Sequence, residues 1–567
     1  MSKSEKKLEK ELRVFGLKCQ VLRKRRMTFL FGKFASIKQE LTKKNNKPMG
    51  NLQVIEALLQ KWNEENDTSN TQTKEFQEEP CPSTYIRSKK VDTNQHIFLA
   101  AEDSFKRLIS VVDWHARCCK EKLKPTKMFK KGHVCKTSLK CNDKETPHVF
   151  SLSSTYLPTK DYLVNSGVNH GITCSGIVPA VYKRFAQGSG IGVISDENRT
   201  SFFNVHSQHI QEEYKYSTDI ALLQEIASYE ELDSKIDIMS DARHGLRKNA
   251  KDTSVVCMGE KTHKVISCEH VTKTMDPVSQ RHERLGTEKI FKYLHENDVT
   301  VNVHCHDRNL SINKYVRENT EAINQNDVWH CVKSVKSALK KVSTGSKSSE
   351  GKTWSFQLSD KVEPVATHMY WAIQNCNQDE KKLQKSLLNI LDHYENIYTD
   401  CHESARCKVD AKYEPSRIVI TSPVAEKLIV SVILNATVYK YAKDYGLGRD
   451  TFYVESFNNV TNIYQNKRIA FGDSQYNARA NRSVLHRNEN VDRDFTSVSI
   501  KQNHTMPRST KGKKNYKRAK YKFRDNIWSR FMKSIYSKRI DSRTKKVFKC
   551  DISNKIHFLQ FSRHLFL

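Results

Sequence analysis

Four short segments between residues 236 and 305 decide what this chain can build. Ile236–Ser240, Ser254–Met258 and Lys264–Val271 are β-branched or alternating and separated by short gaps, which predicts three consecutive strands. A helical pattern from Gln280 to Asn297 leads to a fourth strand, Val299–Cys305, and a further helix over Asn313–Arg317. Strands in this order bury their apolar faces when helices cover a mixed sheet, so the expected class is α/β. Asp241 follows the first strand and Asp307 follows Val299–His306. Side chains at strand ends converge on one edge of such a sheet, and two carboxylates there can share hard divalent cations, which prefer oxygen ligands.

The remaining segments arrange themselves around that sheet. Residues 331–445 are mostly helical by pattern, most clearly Lys382–Tyr394, and part of them reads as an insertion in the second half of the sheet. Upstream, Ile97–Cys119 predicts an amphipathic helix with Phe105, Leu108, Ile109, Val112 and Trp114 on one side. A strand-rich unit is expected after it, over Gly132–Cys141, Thr155–Leu163 and Ile172–Ile194, where Gly188, Gly190 and Gly192 suit turns better than a phosphate loop. Residues 1–60 read as helical, and the polar stretch 64–92, with Pro80 and Pro82, reads as a linker. The expected layout has a basic helical N-terminal region and linker over 1–92 and a smaller strand-containing accessory domain over 93–234, with DNA or zinc as its candidate ligand. The two halves of the sheet domain fall at 235–345 and 446–500, the helical insertion at 346–445, and a basic tail at 501–567.

A formal net charge of +32 sits mainly at the ends, with a net +11 in residues 1–50 and +17 in residues 501–567. Cationic arms around a near-neutral middle suit phosphate binding driven by counterion release. The expected nucleic-acid contacts are Arg23, Lys24, Arg25 and Arg26 at one end and Lys511, Lys513, Lys514, Lys517, Arg518 and Lys520 at the other. Tyr516, Tyr521 and Phe523 alternate with the latter, so rings could stack on bases while cations hold phosphates. The same stretches also read as solvated tails or nuclear-import signals. Fifteen cysteines without a regular framework, behind a charged opening with no apolar leader, point to a reducing compartment, and with the basic clusters to the nucleus. No run approaches the roughly 18 apolar residues of a membrane span, so no membrane partner is expected.

Zinc is a second candidate metal. His115, Cys118, Cys119, His133, Cys135, Cys141 and His148 form a loose group without a Cys-x-x-Cys pair, and from it Cys118, His133, Cys135, Cys141 and His148 are the candidate ligands, with ordinary buried thiols as the alternative. Cys401, His402 and Cys407 form a weaker group in the insertion.

A third acid, Glu455, opens a helix-like stretch with Phe457, Val460 and Ile463 on one side. Four stretches now stand out: Ser240 to Gly245, with Asp241 and Arg243; Cys305 to Asn309, with Asp307 and Arg308; Asp327 to His330; and Glu455 to Asn459. Together they resemble the DDE transposases of the Mutator, hAT and Kolobok kind. The likeness runs from Gly132 to Arg493 and takes in Lys467, Arg468, Arg479, His486, Asn488 and Asn490. It implies an RNase H-like mixed sheet interrupted by a helical insertion, and the 148 positions from Asp307 to Glu455, against 66 from Asp241 to Asp307, leave room for one. It further implies that Asp241, Asp307 and Glu455 are catalytic and hold two Mg2+ or Mn2+ ions, supported by Asp327, His330, Arg243 and Arg308. Double-stranded DNA, as the terminal repeats of a transposon, would be the substrate of a homo-oligomer. Ala242, where the pattern favours a small flexible residue such as Gly, and the lack of a THAP-type finger would suit a decayed or host-adopted copy. The alternatives are a non-catalytic DNA-binding protein of the same origin and an RNase H-like nuclease.

Overall fold

The computed structural model describes residues 97–126, 128–229, 235–246, 249–344, 353–500 and 512–537. The expectations for residues 1–92, including Arg23, Lys24, Arg25 and Arg26, lie outside the described residues, as do Lys511 and the side chain of Lys513.

Helix α1, Glu102–Cys118, begins with Glu102 and Asp103, acids that complement the positive end of a helix dipole. It leaves Phe105, Ile109, Val112 and Trp114 exposed. Strands β1 (Leu123–Pro125), β2 (Phe129–Lys131), β3 (Val134–Cys141) and β4 (Val149–Ser153) follow, and β3 pairs antiparallel with the other three. The strand expected over Thr155–Leu163 is a loop with a single bridge between Tyr156 and Tyr162, and the one expected over Ile172–Ile194 is replaced by the end of helix α2, Leu163–Ser175, and by helix α3, Pro179–Gly188. Gly176, at φ +79°, ends α2 in the left-handed region and Pro179 opens α3, so Gly-Ile-Val-Pro is a helix stop and start. A side chain at Gly176 would also meet Tyr464 Cα at 2.8 Å. Helix α4, Asp196–Ala227, is capped by Ser195, whose Oγ accepts the Asn198 N–H at 3.3 Å.

The central sheet has five strands, β5 (Ile236–His244), β6 (Asp252–Gly259), β7 (Val265–Thr272), β8 (Val301–His306) and β9 (Ile323–Asn326), in the order β7-β6-β5-β8-β9. The first three form an antiparallel meander, β6 antiparallel to both β5 and β7, and β8 and β9 continue parallel to β5. The first strand runs four residues beyond Ser240, so Asp241 lies within it, opposite Val256, and not after its end. Strand β9 was not foreseen, because Asn324, Gln325 and Asn326 carry no apolar alternation. They are buried all the same, and Gln325 donates to the Lys443 carbonyl and accepts from Leu447 N–H, both at 3.0 Å.

Helices α5 (His282–Glu296) and α6 (Leu310–Asn319) cover one face of the sheet, burying Ile236, Ile238, Val255, Ile290 and Ile312. Gly286 permits the approach of α5, since a Cβ there would meet Val255 Cγ2 at 2.3 Å. After β9 come α7 (Val328–Thr344), α8 (Thr353–Ser359), α9 (Val362–Asn375), α10 (Glu380–Tyr394) and α11 (Pro423–Asn435). They share a core of Val335, Leu339, Met369, Ile373, Leu387 and Ile429, with Trp354 and Trp371 partly buried at its margin. Helices α12 (Phe452–Tyr464) and α13 (Asp473–Asn490) then return to the sheet's other face, where Met239, Val256, Met258 and Cys305 meet Val454, Phe457 and Val484. Asn488 of α13 pairs with both the N–H and the carbonyl of Val265, extending the hydrogen bonding of the edge strand β7.

Strands β10 (Phe495–Ile500) and β11 (Gly512–Tyr516) form a hairpin, and residues 522–537 form helix α14. Phe523 and Ile527 are buried against Cys174, Phe203 and Ile210, and Glu213 of α4 accepts Asn526 Nδ2 at 2.7 Å and Arg530 Nε at 2.9 Å. This part of the basic C-terminal segment is therefore folded onto α4 and is not a solvated tail. Among the described residues no helix is long and apolar enough to cross a membrane.

Candidate active site

Strand register sets three aspartates in a row. Ser240 pairs with His306, and His306 with Asn326, so the next residues, Asp241, Asp307 and Asp327, stand at one level on the parallel trio β5, β8 and β9. Neighbouring strands lie about 4.8 Å apart, which fixes the scale of the row. A β-bulge makes the alignment work: Ile236 pairs with Val301 but Asp237 with Val303, leaving Asn302 as the extra residue. Because side chains alternate along a strand, that one-residue shift turns Cys305 and Asp307 to the face that α12 covers. Without it Asp307 would point to the opposite face from Asp241. Asn302 anchors the bulge by donating to Asp237 Oδ1 at 2.8 Å.

Asp241 accepts the Ala242 N–H at 2.7 Å through Oδ1 and Asn458 Nδ2 at 2.9 Å through Oδ2. Burial, and then the charges of Asp307 and Glu283, push its carboxyl up to about 7. The Asp307 carboxyl is also raised by burial, against the opposing pull of His330. Asp327 is buried and wholly engaged: Oδ1 accepts the His330 N–H at 2.7 Å, and Oδ2 accepts the Thr451 N–H at 2.8 Å and its hydroxyl at 2.5 Å. It thereby caps α7 and ties down the strap that leads into α12.

That strap delivers the third acid. Glu455 lies in the first turn of α12, half-exposed, with Oε1 3.8 Å from His330 Nε2. The other ring nitrogen of His330, Nδ1, is 3.3 Å from Asp307 Oδ1 and 3.4 Å from Asp327 Oδ1. One imidazole therefore stands between Asp307 and Glu455, and Asn458, one turn after Glu455, joins the same helix to Asp241.

The two arginines are placed elsewhere. Arg243 is buried and donates to Gln465 Oε1 at 2.8 Å, the Gln465 carbonyl at 2.6 Å and Asn462 Oδ1 at 2.9 Å, so it fastens the end of α12 to β5. Arg308 is exposed, its guanidinium 5.5 Å from the Tyr441 ring centroid.

Three further residues belong to the site. Glu283, in the first turn of α5, has its carboxyl raised by burial and by Asp307, and accepts Asn309 Nδ2 at 2.9 Å. An acid in a helix's first turn usually reads as dipole complement, which masks it in sequence. Asn458 lies inside the Glu455 stretch, where its neighbour's charge draws attention away. Thr451, whose hydroxyl also lies 3.3 Å from Asp307 Oδ1, has no sequence signal.

The expected zinc set is not assembled as such. Cys118 is exposed with Sγ toward the His115 carbonyl at 3.6 Å, His133 pairs its Nε2 with the Tyr182 hydroxyl at 2.9 Å, and Cys135 lies near the start of β3, away from Cys141 at its end. Cys141 and His148 instead meet His115 and Cys119. In the helical block after β9, Cys401 and Cys407 gather with His393, while His402 pairs with Ser404 Oγ at 2.8 Å. The basic residues of the C-terminal segment that are described lie on and after the hairpin. Lys514 stands 4.8 Å from the Phe495 ring centroid, Lys517 pairs with Asp494 at 2.8 Å, and Arg518 and Lys520 are exposed.

A search of the curated proteins finds no match to the chain. The family model of the Mutator-like transposase matches residues 272–407. That stretch runs from the end of β7 into the helical block and holds Glu283, Asp307, Asp327 and His330, while Asp241 precedes it and Glu455 follows it. Asp307, Asp327, His330 and the helices behind them fall inside this match, so this stretch of the chain is similar to Mutator-like transposases.

Proposed function

We propose that the chain cuts and joins DNA strands as a metal-dependent transposase, with Asp241, Asp307 and Glu455 as the ligands of two Mg2+ or Mn2+ ions. The observation that carries this is the aspartate row on β5 and β8 facing the first turn of α12. The strand order, three antiparallel strands followed by two parallel ones with acids along their common edge, supports an RNase H-like core. The donor set fits hard cations: it is all carboxylate oxygen and partly open to solvent, and burial and neighbouring acids raise the Asp241 and Asp307 carboxyls, so a compensating positive charge is needed when they ionise. Two such ions would polarise a phosphodiester, activate a water or 3′-hydroxyl and stabilise the departing oxygen.

The chain's own groups set the order of events around that chemistry. Asn458 holds Asp241 in one orientation, and loss of the Asp241 proton near neutral pH prepares it as a ligand. His330, fixed by Asp327, keeps Asp307 and Glu455 at their spacing. Glu283 adds a fourth carboxylate from the α5 side. On this reading the DNA is double-stranded and carries the terminal repeats of the parent element, and the protein acts as a homo-oligomer in the nucleus.

The deciding experiment incubates the full chain with duplexes taken from the DNA flanking its gene, with Mg2+ or Mn2+, beside Asp307→Asn. Metal-dependent nicking by the native chain and none by the variant is expected. Equal binding by both with no cleavage by either would leave a DNA-binding protein of transposon origin. Cleavage of RNA or hybrids without any need for the flanking sequence would leave a nuclease.

A further inference from the structure

We propose that His115, Cys119, Cys141 and His148 form a structural zinc site that clips the C-terminus of α1 to the β3–β4 hairpin. His115 lies in the last turn of α1, and Cys119 follows the helix as its extended cap residue, its N–H bonded to the His115 carbonyl at 2.9 Å. Cys141 ends β3 and His148 immediately precedes β4. One ligand atom from each of the four lies within 4.8 Å of the others. A tetrahedral Zn2+ with two thiolates and two imidazoles needs ligand atoms about 3.3 to 3.8 Å apart, given bonds of about 2.3 Å to sulfur and 2.0 Å to nitrogen. A small inward movement closes that gap.

Two independent observations point to a ligand there. The Nε2 of His115 is buried with no hydrogen-bond partner, and the residue is only 3% exposed. A buried ring nitrogen left unpaired is costly, and a metal bond is one way to satisfy it. The hairpin is also preshaped around the sulfur of Cys141, which accepts the His148 N–H at 3.0 Å and lies 3.6 Å from His148 Nδ1. A main-chain N–H on a ligand sulfur is the kind of outer contact that orients a metal ligand. Asp143 holds the turn by accepting the Glu145 and Thr146 N–H groups at 2.9 and 3.1 Å. Zinc binding displaces one proton from each of the two thiols to solvent, and the Cys119 thiol gives up its 3.8 Å contact with Asp143.

The fold explains the need. On the four strands only Val134, Leu139 and Cys141 are buried, and β2 is exposed throughout. So thin a core holds a small sheet poorly without a staple. The other histidine-cysteine groups are less suited. His170 and His206 satisfy each other at 2.9 Å beside Cys174, and His393, Cys401 and Cys407 offer three ligands.

The test measures zinc in the full chain purified in magnesium buffer. One zinc per chain is expected, falling to none in Cys119→Ser combined with Cys141→Ser and unchanged in Cys118→Ser combined with Cys135→Ser. Exchange for Co2+ should give a thiolate-to-cobalt charge-transfer band with a tetrahedral ligand field. Zinc retained by the first double variant, or a native chain that takes up none when zinc is supplied, overturns the site. Should that variant fail to fold, alkylation of the native chain decides: Cys119 and Cys141 should react together only after a strong chelator, and Cys118 throughout. Cys119 reacting as fast before chelation as after would also overturn it.

Discussion

The five-stranded and four-stranded sheets each bring metal-type side chains together, but with opposite chemistry. The larger sheet is buried on both faces by helices, so it is rigid enough to hold carboxylates that burial and neighbouring acids push up at a partly open edge. The smaller sheet has almost no core, and its imidazoles and thiols close around a buried point. A packed scaffold can support an electrostatically costly site, whereas an unpacked one needs a ligand cluster to supply part of its stability. Hard oxygen donors at an open edge suit turnover, and soft donors in a closed cluster suit structure.

The sharpest way to break this contrast is to exchange consequences. Asp307→Asn should cut strand cleavage by on the order of 10^3-fold, since metal-held charge stabilisation is worth several kcal/mol, with melting unchanged or raised because a repelling charge is gone. A large loss of melting temperature with residual cleavage would mean that the acids are structural. Next in size, His330→Ala should lower cleavage by roughly 10- to 100-fold, as expected for a group that orients ligands. Steady-state cleavage at several Mn2+ concentrations should show this loss partly recovered by excess metal, an effect a mere folding defect would not produce.

Stability effects come third. Gly286→Ala should destabilise the chain by about 1 to 3 kcal/mol through overpacking against Val255, read from urea unfolding. In contrast Gly167→Ala, in α2 with nothing within 4 Å of its Cβ, should be stabilising by about 0.5 to 1 kcal/mol. Equal effects at the two would refute the close approach of α5. The smallest expected effect is on pH. Asp241 titrates near 7 when folded and near 3.8 when unfolded, so between those values the folded chain holds the extra proton. Metal-free stability should therefore fall as pH rises from about 4 to 7, and the stabilisation by Mn2+ should grow over the same window. Melting curves of Asp241→Asn should show both trends weakened, with Asp307, Glu283 and Glu260, whose carboxyls are also raised, carrying the remainder; curves identical to the native chain's would place the titrating group elsewhere.

Much of the sheet could be read in the chain. Strands β5 to β8 and helix α5 carry β-branched or amphipathic periodicity, and Asp241 and Asp307 stand out beside those strands, whereas Asp327, His330 and Glu455 stand out by the likeness of the stretches that hold them. Strand β9 escaped because its burial rests on hydrogen bonds to residues more than a hundred positions away, such as Leu447. The run Ile172–Ile194 misled because apolar residues around glycine and proline suit a strand and a helix break equally. The zinc candidates Cys118, His133 and Cys135 were near in sequence but lie on other faces or at the far end of β3, which only the rotation of α1 and the pairing of β3 reveal.

Local patterning determined the α/β class and the cationic ends, because periodicity and charge are properties of neighbouring residues, and the likeness of four short stretches marked which acids merited attention. Whether those acids meet was decided by tertiary structure: the bulge at Asn302 sets the face of Asp307, and Asp327 anchors the strap that carries α12 back to the sheet. Register and long-range hydrogen bonds depend on which distant segments pair. No window of sequence contains that information.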